Sequence, residues 1–325
     1  MSNGPEIDSD ACLVFIVNAA SGSEGAEAKR SAIETALKSA GRRGEVVFAP
    51  AAGLAGAARA AAAKAKAARS GVVAVGGDGT INAVAQAAHA EGCPMGVVPQ
   101  GTFNYFARTH GLPVEPGAAV LALLDGTPQP VQVGSVNGTV FLVNASLGLY
   151  PALLQDREAW KARFGRSRWV AAGAGLATLM REHRQLRLRI EQGGAVRNVK
   201  TPTLFIGNNR LQLEQVGLAQ VGCVEAGSIA AVMLKPIGSP AMLWLMLRGA
   251  FGKLGDADDV ESFAFQRMVV TPSRGDPGRR IKVAFDGEVT WMRAPLQFEV
   301  AARPLWLLKP GDTAAAQNTA QSPAP

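Results

Sequence analysis

The chain has 325 residues, of which 48% are hydrophobic and 18% are charged, a balance that excludes a largely disordered protein. Because one domain usually has roughly 100 to 200 residues, we expect two domains. No apolar run reaches the roughly 20 residues of a membrane-spanning helix, and the acidic start of the chain does not resemble a secretory signal. We therefore expect a globular protein of the cytoplasm.

The cysteines, the histidines and the net charge exclude further classes of protein. Three cysteines and three histidines lack the spacing of zinc or disulfide motifs, which argues against a structural zinc site and a disulfide scaffold. The net charge is +7, and residues 156–210 hold 12 Lys and Arg against 4 Asp and Glu. This cationic segment favours an anionic partner, such as a phosphate substrate or an anionic membrane surface, but it is also typical of a solvated helix face. No nucleic-acid recognition motif accompanies it, so nucleic acid is not an expected partner.

The first 127 residues alternate between strand and helix patterns, which is typical of an α/β domain with a parallel sheet. The first strand is a nearly continuous apolar run, as expected for a strand covered on both faces. The predicted strands are Cys12–Val17, Glu45–Ala49, Val72–Val75 and Met95–Val98, and the predicted helices are Glu24–Ser39, Leu54–Arg69 and Thr80–Ala90.

Over residues 128–300 the pattern changes to short strands with turn signals, which predicts a β-rich, sandwich-like domain. The Asn137-Gly138 pair predicts a hairpin. Residues 313–325 are rich in Ala, Gln, Ser and Pro and are predicted to be a disordered tail. The predicted strands are Gln129–Val136, Thr139–Asn144, Leu186–Ile190, Thr203–Ile206, Ser228–Leu234, Phe263–Thr271 and Ile281–Phe285, and helices are expected within Trp160–His183 and Pro240–Leu254.

A glycine-rich stretch between the third strand and the third helix is the most informative motif. It reads Gly76-Gly77-Asp78-Gly79-Thr80. Glycines at such a turn let backbone N–H groups approach a ligand, and the following helix offers its positive end, so the stretch predicts a phosphate site. A carboxylate beside a phosphate suggests that Mg²⁺ or a ribose-like hydroxyl lies between them. The same residues are also good chemistry for a plain turn.

Two further polar loops follow the first and fourth strands. Carboxyl ends of parallel strands meet at one edge of a sheet, so we expect all three loops to converge there. Neither GxxxxGK[ST] nor GxGxxG is present, which indicates another kind of nucleotide site. The candidate residues of the two loops are Asn18, Ser21 and Gly22 in the first, and Gly101, Thr102 and Asn104 in the second.

Four motifs in order resemble the diacylglycerol kinase catalytic-domain family of lipid kinases, which includes bacterial diacylglycerol kinases and YegS-like, sphingosine and ceramide kinases. The resemblance covers about residues 11–300. GGDGT alone is shared with NAD kinases and phosphofructokinases, so the order of all four makes the resemblance specific. The motifs are NxxSG at Asn18–Gly22, GGDGT at Gly76–Thr80, PxGTxN followed by FAR at Pro99–Arg108, and DGE at Asp286–Glu288.

The resemblance implies a kinase that uses ATP and Mg²⁺ to phosphorylate the hydroxyl of a diacylglycerol- or sphingoid/ceramide-type lipid. It implies an ATP-binding domain at 1–127, completed by residues 301–312, and a lipid-substrate domain at 128–300. The three loops would bind nucleotide phosphates, Asp286 would be the base on the lipid hydroxyl, and Glu288 would join the metal network. We expect Asp286 to be exposed at its strand end, although Asp-Gly is also a common turn between strands.

Some residues depart from the family pattern. Tyr105, Gln132 and Ala226 stand where many members have aspartates of the Mg²⁺ network, and Glu225 is a candidate substitute ligand. These departures leave open a catalytically weak lipid- or nucleotide-binding regulator, and GGDGT leaves open an NAD kinase-like enzyme.

Access to a lipid calls for apolar side chains beside cationic ones, as in peripheral contact with the inner face of a membrane. The segment Pro240–Lys253 has this composition, although core packing also explains it. A second candidate is the cationic cluster around Trp169, formed by Lys161, Arg163, Arg166 and Arg168.

Overall fold

A computed structural model describes residues 4–8, 10–19, 25–149, 151, 185–215, 217–218, 222–238, 244–245, 248, 257–273 and 278–310. The chain divides into two compact units, residues 1–133 with 302–325, and residues 134–301. Several predictions fall outside the described residues: the tail at 313–325, the helix and cationic cluster within 160–183, most of 240–253, and the site residues Ser21 and Gly22.

The first unit is built on one six-stranded sheet. The four predicted strands are present and run parallel to one another, which confirms the α/β interpretation. Strand β18 (Leu305–Lys309) pairs parallel to β4 (Met95–Pro99) and antiparallel to β5 (Thr127–Val131). In the order β2-β1-β3-β4-β18-β5, the strands are Gly44–Ala49, Leu13–Asn18, Val72–Gly76, Met95–Pro99, Leu305–Lys309 and Thr127–Val131.

Helices cover both faces of this sheet, because alternate residues of its strands are apolar on both sides. Leu13, Phe15 and Val17 face α1 and α5 in one hydrophobic cluster. Helix α2 buries a stripe of alanines at a spacing of three and four residues, and it packs against α3. The helices are α1 (Ala26–Ser39), α2 (Leu54–Ala67), α3 (Asp78–Glu91), α4 (Tyr105–Thr109) and α5 (Pro116–Leu124), with a 3₁₀ turn at Ala51–Gly53.

The second unit is a sandwich of two six-stranded antiparallel sheets, and its core takes side chains from both. One sheet has the order β10-β9-β14-β17-β6-β7, and the other has the order β13-β12-β11-β8-β15-β16. A short helix, α6 (Arg210–Gln215), follows β11. The strands are β6 (Gly134–Val136), β7 (Thr139–Phe141), β8 (Asn144–Gly148), β9 (Leu186–Gln192), β10 (Ala195–Thr201), β11 (Thr203–Gly207), β12 (Ile229–Leu234), β13 (Val260–Phe265), β14 (Arg267–Pro272), β15 (Arg280–Phe285), β16 (Glu288–Arg293) and β17 (Leu296–Val300).

Strand boundaries differ from the predictions where one apolar pattern runs through two strands. The predicted strand Gln129–Val136 is two strands, because β5 ends at Val131 in the first sheet and β6 begins at Gly134 in another. The predicted strand Phe263–Thr271 is likewise β13 and β14, which lie in different sheets. Among the described residues, no helix is long and apolar enough to cross a membrane.

Candidate functional site

The parallel strands of the first unit end together at one edge of the sheet. Val17 of β1 is in register with Val75 of β3, and Gly76 is in register with Pro99 of β4. The backbone N–H of Gln100 donates to the carbonyl of Gly76 at 2.8 Å, which carries the pairing one residue past the strand. The loops that follow β1, β3 and β4 therefore begin side by side, and the structure brings Asn18, Gly76–Thr80 and Gly101–Asn104 together.

Close packing of two glycines joins the second and third loops. A Cβ at Gly101 would lie 3.1 Å from the Cα of Gly77 and 2.8 Å from Oδ1 of Asn104. Real Cβ atoms essentially never show the shorter of these distances, and the longer is tighter than nine in ten real Cβ contacts, so a side chain at position 101 would displace Asn104 or the backbone of Gly77. The backbone of each loop is thereby held against the other at the N-terminus of α3.

Asn104 locks the third loop through its side chain. Its Oδ1 accepts from the N–H of Gly101 at 2.9 Å, and its Nδ2 donates to the carbonyl of Gly101 at 2.9 Å. The residue is buried and lies in the left-handed region at φ 49°, which asparagine tolerates better than most residues. Asn104 thus stabilises the shape of the loop. From the sequence it was predicted only as a ligand-binding residue.

Asn18 and Thr80 connect the first loop to α3. Nδ2 of Asn18 donates to Oγ1 of Thr80 at 3.3 Å. The Thr80 side chain is buried against Gly76, where a Cβ would lie 2.6 Å from the same oxygen. Thr80 therefore packs against the glycine-rich turn, and Asn18 holds Thr80 in this position.

Asp78 is the electrostatically unusual residue of this edge. It is the first residue of α3, and the N-cap residue Gly77 provides no side-chain cap. Oδ1 of Asp78 is buried and has no hydrogen-bond partner among the described residues. Burial raises the pKa of the Asp78 carboxyl, against the opposing effect of the backbone N–H groups of Asn104 and of Asp78 itself. A buried carboxylate oxygen without a donor favours a cation or a ligand hydroxyl at that point.

An aromatic pair beside this loop was not anticipated from the sequence. The rings of Phe103 and Tyr105 stack with centroids 5.7 Å apart and planes 4° apart, and Phe103 is 53% exposed. An exposed aromatic face can stack on a planar base. The alternation of aromatic and polar residues over 102–105 is the sequence signal that points to it.

In the second unit, Asp286 is buried, and the expectation that it is exposed is wrong. One carboxylate oxygen accepts from the backbone N–H of Leu142 at 2.7 Å, and the other accepts from Val143 at 2.8 Å and Asn144 at 3.0 Å. Asp286 and Gly287 have φ of 46° and 88°, as in a type I′ hairpin between β15 and β16. Asp286 therefore accepts hydrogen bonds from the backbone N–H groups of the segment between β7 and β8. This segment carries the chain from one sheet of the sandwich to the other.

Asn144 extends the polar cluster around Asp286. It is buried, and its Nδ2 donates to Oε1 of Gln212 at 3.0 Å. Its Oδ1 is also buried and has no hydrogen-bond partner among the described residues. Sequence reasoning missed this residue, because asparagine at the start of an apolar strand gives no motif.

The predicted metal ligands of the second unit are dispersed. Glu288 begins β16 and is exposed, whereas Glu225 pairs with Arg210 at 2.5 Å. Arg210 also pairs with Glu214 at 2.6 Å. Glu225 forms a solvent-exposed ion pair with Arg210, so its role as a substitute Mg²⁺ ligand stays a prediction. Within the described ranges, no three His, Cys, Asp or Glu side chains form a group that could hold a metal ion.

Known proteins share this architecture. Residues 12–136 match the family model of the diacylglycerol kinase catalytic domain. This segment is similar to the catalytic domain of diacylglycerol kinases. The crystal structure of a diacylglycerol kinase from Bacillus anthracis has the same fold, with a TM-score of 0.65 and 17% identity over 92% of this chain and 97% of that chain. The predicted combination of an α/β domain and a β-rich domain is thereby confirmed.

Sequence relatives match shorter segments of the chain. A protein named as a probable YegS-like lipid kinase, from Pseudomonas aeruginosa, is 51% identical over 79 residues. The diacylglycerol kinase of Bacillus subtilis is 40% identical over 88 residues. These segments are 24% and 26% of this chain, and they span 26% and 29% of the two relatives.

The segment that matches the family model contains every candidate residue of the first unit and none of the second. Asp78 and Asn104 lie inside residues 12–136, whereas Asp286 and Glu288 lie far beyond them. The family match therefore supports the nucleotide-side interpretation, while the roles of Asp286, Glu288 and Glu225 rest on the sequence motifs and on the contacts of the second unit.

Proposed function

We propose that this protein is an ATP- and Mg²⁺-dependent lipid kinase that transfers the γ-phosphoryl group to the hydroxyl of a diacylglycerol- or sphingoid/ceramide-type lipid. The family model and the name of the Bacillus subtilis relative favour the diacylglycerol type among these acceptors. The protein works from the cytoplasm at the surface of a membrane, where its substrate resides. The family match favours this activity over the NAD kinase-like alternative.

One observation carries the proposal: a buried carboxylate oxygen of Asp78, without a hydrogen-bond partner among the described residues, lies where two glycine backbones meet at the start of a helix. The helix N-terminus and the glycine backbones supply N–H groups and no bulky side chains, as a phosphate group requires. The carboxylate adds a negative charge that a phosphate alone would repel. The arrangement suits a nucleotide phosphate accompanied by a cation.

Asp78 fits Mg²⁺ by the chemistry of its donor atom. Mg²⁺ prefers hard oxygen ligands and is usually held by one or two carboxylates together with substrate phosphates and water. When bound, it would neutralise charge on the phosphates during transfer. Asp78 itself holds its carboxylate at the phosphate loop, and Asn104 keeps that loop in place through Gly101.

For the acceptor side, we propose that Asp286 takes the proton from the lipid hydroxyl and that Glu288 acts beside it. Three backbone N–H groups donate to the two oxygens of the Asp286 carboxylate, and an ionised carboxylate is a hydrogen-bond acceptor for an alcohol O–H. Asn144 lies next to it, and its buried Oδ1 has no hydrogen-bond partner among the described residues. The backbone donors hold the base in one orientation, so that little reorganisation is needed at the moment of proton transfer.

A second candidate is a regulator that binds nucleotide or lipid without efficient turnover. The observation that favours it is the ion pair between Glu225 and Arg210, together with the structural use of Asp286. In this alternative, the carboxylates of the second unit stabilise the sandwich and do not act on a substrate.

Transfer of labelled γ-phosphate from ATP into lipid in mixed micelles distinguishes the two candidates. The assay uses the full chain with and without Mg²⁺, and offers diacylglycerol, ceramide and sphingosine separately. We expect Mg²⁺-dependent labelling of one class, lost by at least a hundredfold in Asp78→Asn. Asp125→Asn, which changes an exposed aspartate at the end of α5, is the matched control and retains activity.

Binding measurements complete the test. If ATP binds and no lipid is labelled above the level without enzyme, the regulator replaces the kinase. If Asp78→Asn and Asp125→Asn are equally active, the proposed role of Asp78 is wrong even though the activity stands.

A further inference from the structure

A groove opens at the end of the sandwich where strands of both sheets meet the solvent. It has a volume of about 550 Å³ and is lined by the chain around Gly148, by residues 185–188 at the start of β9, by Pro272 of β14, by residues 279–282 at the start of β15, and by Trp291 of β16. Its floor is apolar, with Leu186, Leu188 and Ile281 among the lining residues. The volume is in the usual range for a small-molecule site.

The groove lies apart from the candidate catalytic residue of the same unit. Arg280 begins strand β15 and Asp286 follows its end. Six residues in extended conformation separate the two by about 20 Å. A ligand headgroup in the groove would therefore not touch the polar cluster around Asp286 and Asn144.

The rim of the groove is cationic. Arg187, Arg279, Arg280 and Lys282 are all part of it, and none of the described lining residues is acidic. A neighbouring concavity of about 300 Å³ shares Arg187 and adds Lys200. Positive charge on one rim above an apolar floor is complementary to a ligand that is anionic at one end and apolar at the other.

Trp291 places an exposed aromatic ring beside the cations of the rim. Its side chain is 54% exposed, and Nζ of Lys282 lies 5.1 Å from its ring centroid. Lys282 and Trp291 are directly opposite each other in the β15–β16 ladder, and Arg280 is opposite Arg293 on the same face. Exposed tryptophan beside lysine and arginine is typical of protein surfaces at the level of lipid headgroups.

We propose that this groove is a docking site for an anionic phospholipid of the membrane surface. The cationic rim binds the headgroup phosphate, the apolar floor takes the first methylene groups of an acyl chain, and Trp291 enters the interface. The site is separate from the lipid that is phosphorylated, and its occupation does not depend on kinase activity. It provides a membrane contact formed entirely by described residues.

Sedimentation of the full chain with vesicles tests the proposal. Vesicles of phosphatidylcholine alone are compared with vesicles that contain 30% phosphatidylglycerol, without ATP. We expect binding to the anionic vesicles only. The triple variant Arg279→Gln, Arg280→Gln, Lys282→Gln should weaken it by about fivefold per charge, on the order of a hundredfold in all. Trp291→Ala should weaken binding severalfold without changing the charge.

The matched control removes three cations elsewhere: Arg59→Gln, Lys64→Gln, Lys66→Gln on helix α2. It changes the net charge equally and should bind like the wild type. Equal losses in the two triple variants would mean nonspecific attraction and would overturn the proposal, as would wild-type binding by Trp291→Ala. If soluble glycerol phosphate displaces the protein from the vesicles as effectively as additional anionic vesicles do, the groove is a site for soluble anions and the proposal is overturned. Thermal unfolding of each variant identifies any variant that has lost its fold. In that case the single variants Lys282→Glu and Lys282→Gln are compared, and we expect the folded Lys282→Glu to bind the anionic vesicles more weakly. Equal binding by the two would overturn the proposal.

Discussion

Asn104 and Gly101 hold each other through two hydrogen bonds of 2.9 Å, one accepted and one donated by the same side-chain amide. The pair closes a loop of four residues at the edge where β3 and β4 end. The shape of the candidate phosphate loop therefore depends on a single buried amide.

Asn104→Ala should lower both stability and ATP affinity. The change removes two hydrogen bonds, each worth roughly 0.5–1.5 kcal/mol, and places alanine at a φ of 49°. We expect at least tenfold weaker ATP binding by isothermal titration calorimetry. Asn104→Gly keeps the backbone conformation and loses only the amide, so it should be more stable than Asn104→Ala with similarly weak binding. Wild-type affinity in the glycine variant would show that the amide does not shape the site.

Gly101→Ala should separate the two glycine loops. The new Cβ would lie 3.1 Å from the Cα of Gly77, a backbone atom that cannot turn away. We expect a loss of about 1–3 kcal/mol in the free energy of unfolding, measured by urea denaturation, and a larger loss of ATP affinity. Gly56→Ala is the matched control, because no atom lies within 4 Å of its Cβ position in helix α2. That variant should be up to about 1 kcal/mol more stable than the wild type.

Asp78→Asn should stabilise the protein in the absence of ligand. Burial raises the pKa of this carboxyl in the folded state, so folding favours its neutral form, and ionisation above the ordinary value of 3.8 costs stability. The asparagine should raise Tm at pH 7, and the gain should vanish as the pH falls towards 4. Thermal scans at the two pH values check this. An equal gain at both would mean that the charge is not its cause.

Asp286→Asn should destabilise the second unit as well as reduce turnover. An amide has one carbonyl oxygen and would turn its NH₂ group towards at least one of the three backbone donors. Leaving a buried donor without a partner costs about 1–3 kcal/mol. Asp258→Asn changes an exposed turn residue of the same unit and is the matched control for urea denaturation. Activity of Asp286→Asn must therefore be expressed per folded molecule, and a variant as stable as the control would contradict the structural role.

The first unit should lose stability as the pH falls. His110 packs edge-on against Phe106 with centroids 4.7 Å apart, and burial, with a smaller effect of Lys309, lowers its pKa to about 3. The unfolded chain binds this proton near pH 6.5 and the folded chain does not, so the free energy of unfolding should drop below that pH by about 1.4 kcal/mol per unit. His110→Gln should flatten the profile between pH 7 and pH 5. Identical slopes in variant and wild type would contradict this.

The sequence predicted the parallel strands and their loops because each depends on neighbours in the chain. Apolar runs such as β1 and the glycines after β3 are local signals. The burial of Asp286 is not local, because its three donors lie 142 to 144 residues away. The pairing of Glu225 with Arg210 depends on a turn and a helix whose spacing the residue types do not fix.

Edge strand β10 was also missed, for a different reason. Its sequence, AVRNVKT, carries polar residues on the face that is solvated, which weakens the apolar pattern used to recognise strands. Strand β16 is similar, since Glu288, Trp291 and Arg293 are exposed. Both strands lie at the edge of a sheet, where sequence signals are weakest.

The place of β18 has a consequence for the order in which the chain can fold during synthesis. This strand lies between β4 and β5 in the first sheet, yet it is made after all of residues 134–301. The ribosome therefore releases the second unit before the first sheet can close. Until then the edges of β4 and β5 stay unpaired, a form that invites pairing with other chains or the attention of chaperones. The unit whose synthesis begins first is therefore the last to be completed.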